Sequence, residues 1–324
     1  MSVAEWIRVG RIHTAALTMP ITLAGYVLAG GRDPLVGLGW VLFGLLWHYV
    51  GFLQNNLFDL RYDRLDPEKQ HFPLVRGAID PRTAWIVDDV GLLLLAVAGA
   101  LLSGLSPGSI VFLAVGIIAG TLYNAFSKRT LLKPIPIALC FASLPLIPYL
   151  SLRPLDRVAQ LLFAFVFATI FYQIAYSGEL KDIKRGERNI LLALHRFGGW
   201  AVVVFAVVSK MVNLAIGYAL LDALAGRDVL AGLISFWAAS AIAAAIVLVL
   251  TLQLMDFFKA VDDVWDRRRA LFNMSLMEIL TYFFFVICIA PVLKGYALLW
   301  IALPVAWFVV MNRFIFGTTV YPRV

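Results

Sequence analysis

Apolar stretches of membrane-crossing length follow one another along almost the whole chain, and no other feature limits the fold so severely. They run at about 14–31, 35–58, 83–105, 108–126, 134–152, 158–178, 199–223, 229–256, 271–293 and 296–316. A helix needs roughly 17–25 predominantly apolar residues to span the hydrocarbon core. The chain is 62% apolar and 15% charged, against roughly 45–50% and about 25% in soluble domains. The expected fold is an all-α polytopic transmembrane helical bundle of nine core helices, with a tenth where Lys294-Gly295 divides the last stretch. No linker, low-complexity tract or soluble domain interrupts it, so residues 1–324 read as a single transmembrane domain. The opening MSVAEWIRVGRIHTAAL shows no cleavage site, and the first span is read as retained.

The positive charges are arranged by side. Loops 59–82, 127–133, 179–197 and 257–270 hold 17 of the 27 Lys and Arg residues, whereas the five alternating short loops hold 5. That bias places the four basic loops in the cytoplasm. Because these positives flank spans, they argue for topology and against a nucleic-acid surface. Cys140 and Cys288 lie inside apolar stretches and suggest neither a disulfide framework nor a zinc site.

On the basic side the sequence reads Asn55-Asn56-Leu57-Phe58-Asp59-Leu60-Arg61-Tyr62-Asp63. Asn55, Asp59 and Asp63 are spaced i, i+4, i+8, which stacks an amide and two carboxylates on one helical face. A bilayer tolerates such a cluster only where it faces protein, water or a cation. Oxygen donors of this kind suit Mg²⁺, which commonly takes one or two carboxylates plus substrate phosphates. The cluster continues through Asp66, Lys69 and His71 to Pro73-Leu74-Val75-Arg76-Gly77.

A second acidic run follows the sixth stretch. Glu179 and Asp182 are i, i+3 and share a face, and Glu187 comes after Gly186. Two acidic clusters on one side can hold two cations around one diphosphate and offset the charge that grows as it leaves. Between them lies Tyr123 to Lys128-Arg129, at the end of the fourth stretch. These cations can bind phosphate oxygens. The Tyr123 ring can face a developing positive charge. The plain alternative is an interfacial belt of Tyr, Lys and Arg.

Taken together, Asn55-x₃-Asp59-x₃-Asp63 with Pro73-Leu74-x₂-Gly77 resembles the first aspartate motif of the UbiA superfamily of intramembrane prenyltransferases. Tyr123 to Lys128 resembles its tyrosine–lysine motif. Glu179-Leu-Lys-Asp182-Ile, with Gly186-Glu187-Arg188 and Arg196-Phe-Gly198, resembles its second acidic motif, and Arg11-x₂-Thr14 its opening Arg-Pro-x-Thr. The likeness covers about residues 8–293. It implies transfer of a prenyl group from an allylic prenyl diphosphate to a lipophilic, aromatic or phosphorylated acceptor. By that resemblance Asn55, Asp59, Asp63, Glu179, Asp182 and Glu187 would bind Mg²⁺. Arg11, Lys128 and Lys181 would hold the diphosphate, and Asp59, Asp63, Tyr123, Lys128 and Asp182 would carry the chemistry. The chain departs from the family pattern at three places. Phe72 stands where the family usually has Arg before Pro-Leu. The tyrosine–lysine spacing is one residue longer, and the repeated Asp of the second motif is missing, with Arg185 near one expected position.

Two rival readings remain beside it. One is a catalytically reduced homologue that binds isoprenoid lipid. The other is a transporter using Lys210 and Glu278, which fall at mid-bilayer depth and are expected to pair. Asp88 and Asp89 read as interfacial, and His48 as a hydrogen-bonded packing residue rather than a ligand. Asp262-Asp263-Val264-Trp265-Asp266 matches the DDxxD string of soluble prenyl diphosphate synthases, but beside Arg267-Arg268-Arg269 it reads as a solvated, self-neutralised loop.

Overall fold

In the computed structural model, described over residues 3–181, 183, 189–226, 229–262 and 266–316, the protein is helical, with no strand among the described residues. The helices are α1 (Val3–Val9), α2 (Thr18–Leu28), α3 (Pro34–Asp63), α4 (Pro81–Leu102), α5 (Pro107–Phe126), α6 (Pro134–Leu150) and α7 (Arg157–Tyr172). A π-helical segment (Gln173–Gly178) then leads into α8 (Glu179–Lys181). After it come α9 (Ile190–His195), α10 (Gly199–Ala225), α11 (Val229–Val261), α12 (Arg267–Leu293) and α13 (Ala297–Phe316).

Among the described residues, seven helical stretches are long and apolar enough to cross a membrane, and the run Arg267–Ile315 counts as one of them. Ile12–Leu28 and Pro134–Leu150 are shorter apolar helices. The protein is therefore an integral, multi-pass membrane protein. The division expected at Lys294-Gly295 is present as a 3₁₀ turn, Lys294–Tyr296, between α12 and α13. Most helix ends fall within a few residues of the apolar boundaries. The informative exception is α3, which continues to Asp63 rather than ending near residue 58. The whole first acidic motif is consequently helical.

Helix starts are fixed by a device that span-counting does not see. Asp33 caps α3 by accepting from the Leu35 and Val36 N–H groups at 2.8 and 3.3 Å, with Pro34 at the first helical position. Asp80-Pro81 repeats the arrangement on α4, where Asp80 accepts from Thr83 N–H at 2.9 Å. Asp156 and Asp266 cap α7 and α12 in the same way. A side-chain cap satisfies amides that the first helical turn leaves without partners, and proline there lacks only an N–H that would have been unpaired. The Thr83 backbone N–H also holds the exposed Asp80 carboxyl below its usual range.

Two compact units make up the fold. The first comprises Met1–Ala125, Ser143–Leu155 and Leu298–Val324. In it α3 packs against α2 and α4. At one end of α3 a small apolar cluster of Val9, Leu53, Leu57, Leu74, Ile79 and Ala84 buries the loop that follows the helix. Arg76 of that loop reaches Glu5 of α1 at 2.6 Å, and Arg8 of α1 donates to Ile315 O at 2.8 Å. The N-terminal segment and the loop are thereby seated on the same helix that carries the acids.

The second unit comprises Phe126–Ala142 and Asp156–Ala297. It is built from α7, α10, α11 and α12, with Phe165 stacked between Phe284 and Phe285 at centroid distances of 6.2 and 5.3 Å. Both units turn large apolar side chains outward, among them Leu93, Leu101, Ile118, Val212 and Leu248. In water such a surface would aggregate; in a bilayer it faces acyl chains.

Close helix contact in the first unit depends on absent side chains, most tightly at Gly25. A Cβ added at Gly25 would lie 1.8 Å from Pro145 O and 2.7 Å from its carbonyl carbon. Small residues of this kind let membrane helices approach backbone to backbone. Gly25→Ala is expected to destabilise the protein by at least about 1–3 kcal/mol, the usual scale of overpacking, read as a lowered unfolding midpoint in detergent. The rigid carbonyl it meets is the reason for placing the effect at the upper end.

Candidate functional site

The acidic stripe of α3 is buried without losing its polar partners. Asp59 is 7% and Asp63 3% exposed; Asn55 is half-buried. Lys69, one turn past the helix end, donates to Asp63 Oδ1 at 2.6 Å. Asn55 Nδ2 donates to Asn124 Oδ1 on α5 at 3.3 Å. Asn124 Nδ2 in turn donates to Gln54 Oε1 at 2.9 Å and to Gly51 O at 3.2 Å. Gln54 Nε2 donates to Asp88 Oδ2 at 3.3 Å. Asp88 is therefore not interfacial, as the sequence suggests, but fully buried on the face of α4 turned to α3. Asn124, Gln54 and Asp88 form a chain of amides and a carboxylate behind Asn55, and only their repeated occurrence at span ends marks them in sequence.

Arg11 is set beside this stripe. Its Nη2 donates to Asn56 Oδ1 at 3.3 Å, and Asn56 Nδ2 donates to Val9 O at 2.7 Å. The guanidinium carbon lies 5.1 Å from the Phe52 ring centroid and 5.9 Å from that of Phe72. Both distances are within cation–π range. Phe72, which replaces the arginine usual in the resembling family, thus supplies a ring to Arg11.

The second acidic run belongs to the second unit. Glu179 is 3% exposed, and both of its carboxylate oxygens are occupied. One forms an ion pair with Lys133; the other accepts from Ile190 N–H at 2.7 Å. Asn189, which caps α9 through Leu192 N–H at 3.1 Å, also donates to Glu179 O at 2.8 Å. Glu179 therefore clasps the start of α9 to the end of the π-helical segment. Asp182 and Glu187 lie outside the described residues, as does the side chain of Lys181, which closes α8. Tyr123 sits in the last turn of α5 and Lys128 in the turn after it, both half-buried.

The interior of the second unit holds a polar network that the sequence does not announce. Tyr172 donates to Gln253 Oε1 at 2.8 Å, and Gln253 Nε2 donates to Ser177 Oγ at 3.1 Å. Asn273 donates to Asp256, which pairs with Arg269 at 2.8 Å. Lys210 is 1% exposed. The pair expected with Glu278 is not formed: Lys210 donates to Thr281 Oγ1 at 3.3 Å and stands 4.1 Å from the Tyr172 ring centroid, whereas Glu278 accepts from Gln173. A ring face and a hydroxyl are what the neighbouring helices offer at that depth. Of the DDxxD-like string, Asp262 is exposed and Asp266 caps α12; Asp263 lies outside the described residues.

Among the described residues no group of three His, Cys, Asp or Glu side chains converges as a complete metal cage. The donors on α3 are one amide and two carboxylates. Such a set fits Mg²⁺, which keeps coordination positions for water and phosphate oxygens; it does not fit zinc, which favours sulfur and imidazole. Chemically, the first unit offers hard oxygen donors beside an aromatic-held guanidinium. That combination suits a polyanion carrying its own cation.

A sequence profile described as the UbiA prenyltransferase family matches residues 18–276. Solved structures share the fold. A UbiA homologue from Aeropyrum pernix K1 superposes with a TM-score of 0.65 at 17% identity, covering 87% of this chain and 98% of that one. A UbiA homologue from Archaeoglobus fulgidus, solved with GPP and Mg²⁺, gives 0.58 at 17% identity over 89% and 99%. A digeranylgeranylglyceryl phosphate synthase structure gives 0.58 at 14% identity over 90% and 98%. No curated protein sequence gives a significant match.

The clasp at Glu179 yields a direct expectation. Removing one partner of a buried ion pair leaves the other uncompensated and costs about 3–5 kcal/mol. Because Ile190 N–H still serves Glu179, Lys133→Ala is expected to cost less, about 2–3 kcal/mol. Increased hydrogen exchange over residues 190–195 is the measurement that localises it.

Proposed function

The chain belongs to the UbiA prenyltransferase family, and from that membership we propose a Mg²⁺-dependent intramembrane prenyltransferase. It moves a prenyl group from an allylic prenyl diphosphate to a lipophilic, aromatic or phosphorylated acceptor. The observation that carries this reading is the stripe of half-buried Asn55 and buried Asp59 and Asp63 on α3, with Arg11 held beside it at Asn56. The A. fulgidus homologue, bound in separate structures to GPP and to DMAPP with Mg²⁺, supports the donor class.

In this reading Asn55, Asp59 and Asp63 hold Mg²⁺, and Glu179, Asp182 and Glu187 are the counterpart ligands of the second acidic run. Bound Mg²⁺ offsets negative charge on the departing diphosphate. Lys69 neutralises Asp63 until the diphosphate with its cation arrives. Arg11, Lys128 and Lys181 donate hydrogen bonds to the diphosphate oxygens, interactions that strengthen as the charge on those oxygens grows. The allylic C–O bond breaks, both electrons leave with diphosphate, and the Tyr123 ring faces the carbocation that remains. The acceptor's electron pair forms the new bond to carbon, and the acceptor then loses a proton. The prenyl tail stays among apolar side chains, where burial is favourable by about 0.8 kcal/mol per CH₂. The excess of Lys and Arg in the four basic loops supports a cytoplasmic side for this chemistry.

The test is diphosphate release from geranyl and geranylgeranyl diphosphate in detergent, with Mg²⁺ and a panel of acceptors. Release is expected to need both Mg²⁺ and one acceptor class, and to stop with a chelator. Asp59→Asn and Asp63→Asn are each expected to lower the rate at least about 100-fold, the scale of removing one charge-stabilising group, with unchanged monodispersity and helicity. Full release by both variants would sink the assignment of the stripe.

A further inference from the structure

His48 lies on α3 two turns before Asn56, in a membrane-crossing stretch, and is 4% exposed. An imidazole at that depth has to be fully hydrogen-bonded, and both ring nitrogens are. Nδ1 is 2.9 Å from Thr18 Oγ1. Nε2 is 3.0 Å from Thr14 Oγ1 and 3.2 Å from Arg11 O. The Thr14 hydroxyl itself donates to Arg11 O at 2.8 Å. A carbonyl only accepts, so the proton serving Arg11 is assigned to Nε2, and Nδ1 accepts from Thr18. One imidazole in one tautomer thereby ties together the turn from Arg11 to Thr18.

That turn needs tying. Arg11 has φ 47 and ψ 40, a left-handed conformation that a residue with a Cβ keeps only when its surroundings fix it. The same helix face then receives the side chain. His48, Phe52 and Asn56 follow at four-residue intervals and so share a face. His48 takes the Arg11 carbonyl; Phe52 and Asn56 take its guanidinium. Among the described residues Asn56 is the one hydrogen-bond acceptor of that guanidinium, which carries five N–H donors. The rest are available to an anion. The stripe of Asn55, Asp59 and Asp63 runs alongside on the neighbouring face.

We infer that His48 is a positioning residue for diphosphate capture: by clamping the left-handed Arg11 turn it presents the arginine's remaining N–H groups as fixed donors beside the acidic stripe. The inference rests on the prenyl-diphosphate reading above. His48 touches neither substrate nor metal in this scheme and acts entirely through Arg11.

The experiment is a double-mutant cycle read by binding. Affinity for inorganic diphosphate and for a non-ionisable prenyl diphosphate analogue, each with Mg²⁺, is measured by calorimetry in detergent. The set is wild type, His48→Leu, Arg11→Ala and the double variant. His48→Leu is expected to lose about tenfold in affinity, the scale of one charge-assisted hydrogen bond, and the double variant to bind no more weakly than Arg11→Ala. In turnover kcat/KM should fall by more than the binding affinity does, with kcat lowered as well as KM raised, because the Arg11 contact strengthens as diphosphate leaves. His48→Gln, which can both donate and accept, should recover part of it. Additive losses, with His48→Leu still costing tenfold when residue 11 is alanine, would show a role in the fold alone and overturn the inference. Should His48→Leu not fold, Thr14→Val enters the same cycle with the same two outcomes. Binding by wild type that is undiminished in His48→Leu overturns this inference only. No binding by wild type overturns the prenyl-diphosphate reading, and this inference with it.

Discussion

Two carboxylates on one face of a membrane helix set the terms for everything packed around α3. Burial of Asp59 and Asp63 to a few percent exposure is costly unless the neighbourhood answers with opposite charge or hydrogen bonds. The first unit supplies both. Lys69 returns from the loop to Asp63, and Asn56 holds Arg11 on the neighbouring face. The amide chain from Asn55 through Asn124 and Gln54 to Asp88 stiffens the helix pair behind them. The loop after α3 is itself anchored by the burial of Leu74 and Ile79 and by the Arg76–Glu5 pair. The site is thus an electrostatic problem solved inside the first unit, by the loop after α3 and by Arg11, Asn124 and Asp88 brought to it from elsewhere in the chain.

The second unit shows a different use of polarity. Its interior carries Lys210, Gln253, Asp256 and Asn273 on three helices of otherwise apolar character. Tyr172 links Lys210 to Gln253, through its ring on one side and its hydroxyl on the other. A buried lysine amine is tolerated at that depth because a hydroxyl and a ring face meet its N–H groups. Such interior bonds between membrane helices contribute modestly, about 0.6 kcal/mol each on average. Their larger effect is to fix which faces of α7, α10, α11 and α12 meet.

Sequence reasoning reaches the spans because the bilayer imposes their length and apolarity; α4, α5 and α7 begin within two residues of the apolar boundaries. The acidic stripe is legible for the same reason: charges at i, i+4, i+8 beside an apolar run share one helical face, and that face has to meet a cation or a polar neighbour. What escapes is whatever depends on residues distant in sequence meeting in space. Asp88 looks interfacial when counted from a span end and is buried because Gln54 lies opposite it. Lys210 and Glu278 look like a pair by depth, yet helix rotation gives each a different neighbour. Phe72 reads as a lost arginine until its ring is seen beside Arg11. His48 reads as packing, since nothing in a linear string shows that it reaches back to the carbonyl of residue 11. The Asp-Pro caps are local and so readable residue by residue, but hydropathy overlooks them.

The π-helical segment Gln173–Gly178 has a consequence of its own. A π turn accommodates one residue more than an α turn. In a regular helix an added residue swings all that follows by about 100°. Here that surplus is absorbed within a single turn, so the chain before it and the chain after it keep independent angular settings. Tyr172 and its predecessors are phased to their neighbouring helices, while Glu179 is phased to Lys133 and the head of α9. The segment works as a phase joint in one continuous rod. Loss of one residue at that joint would restore an α turn there and leave Glu179 phased to Lys133.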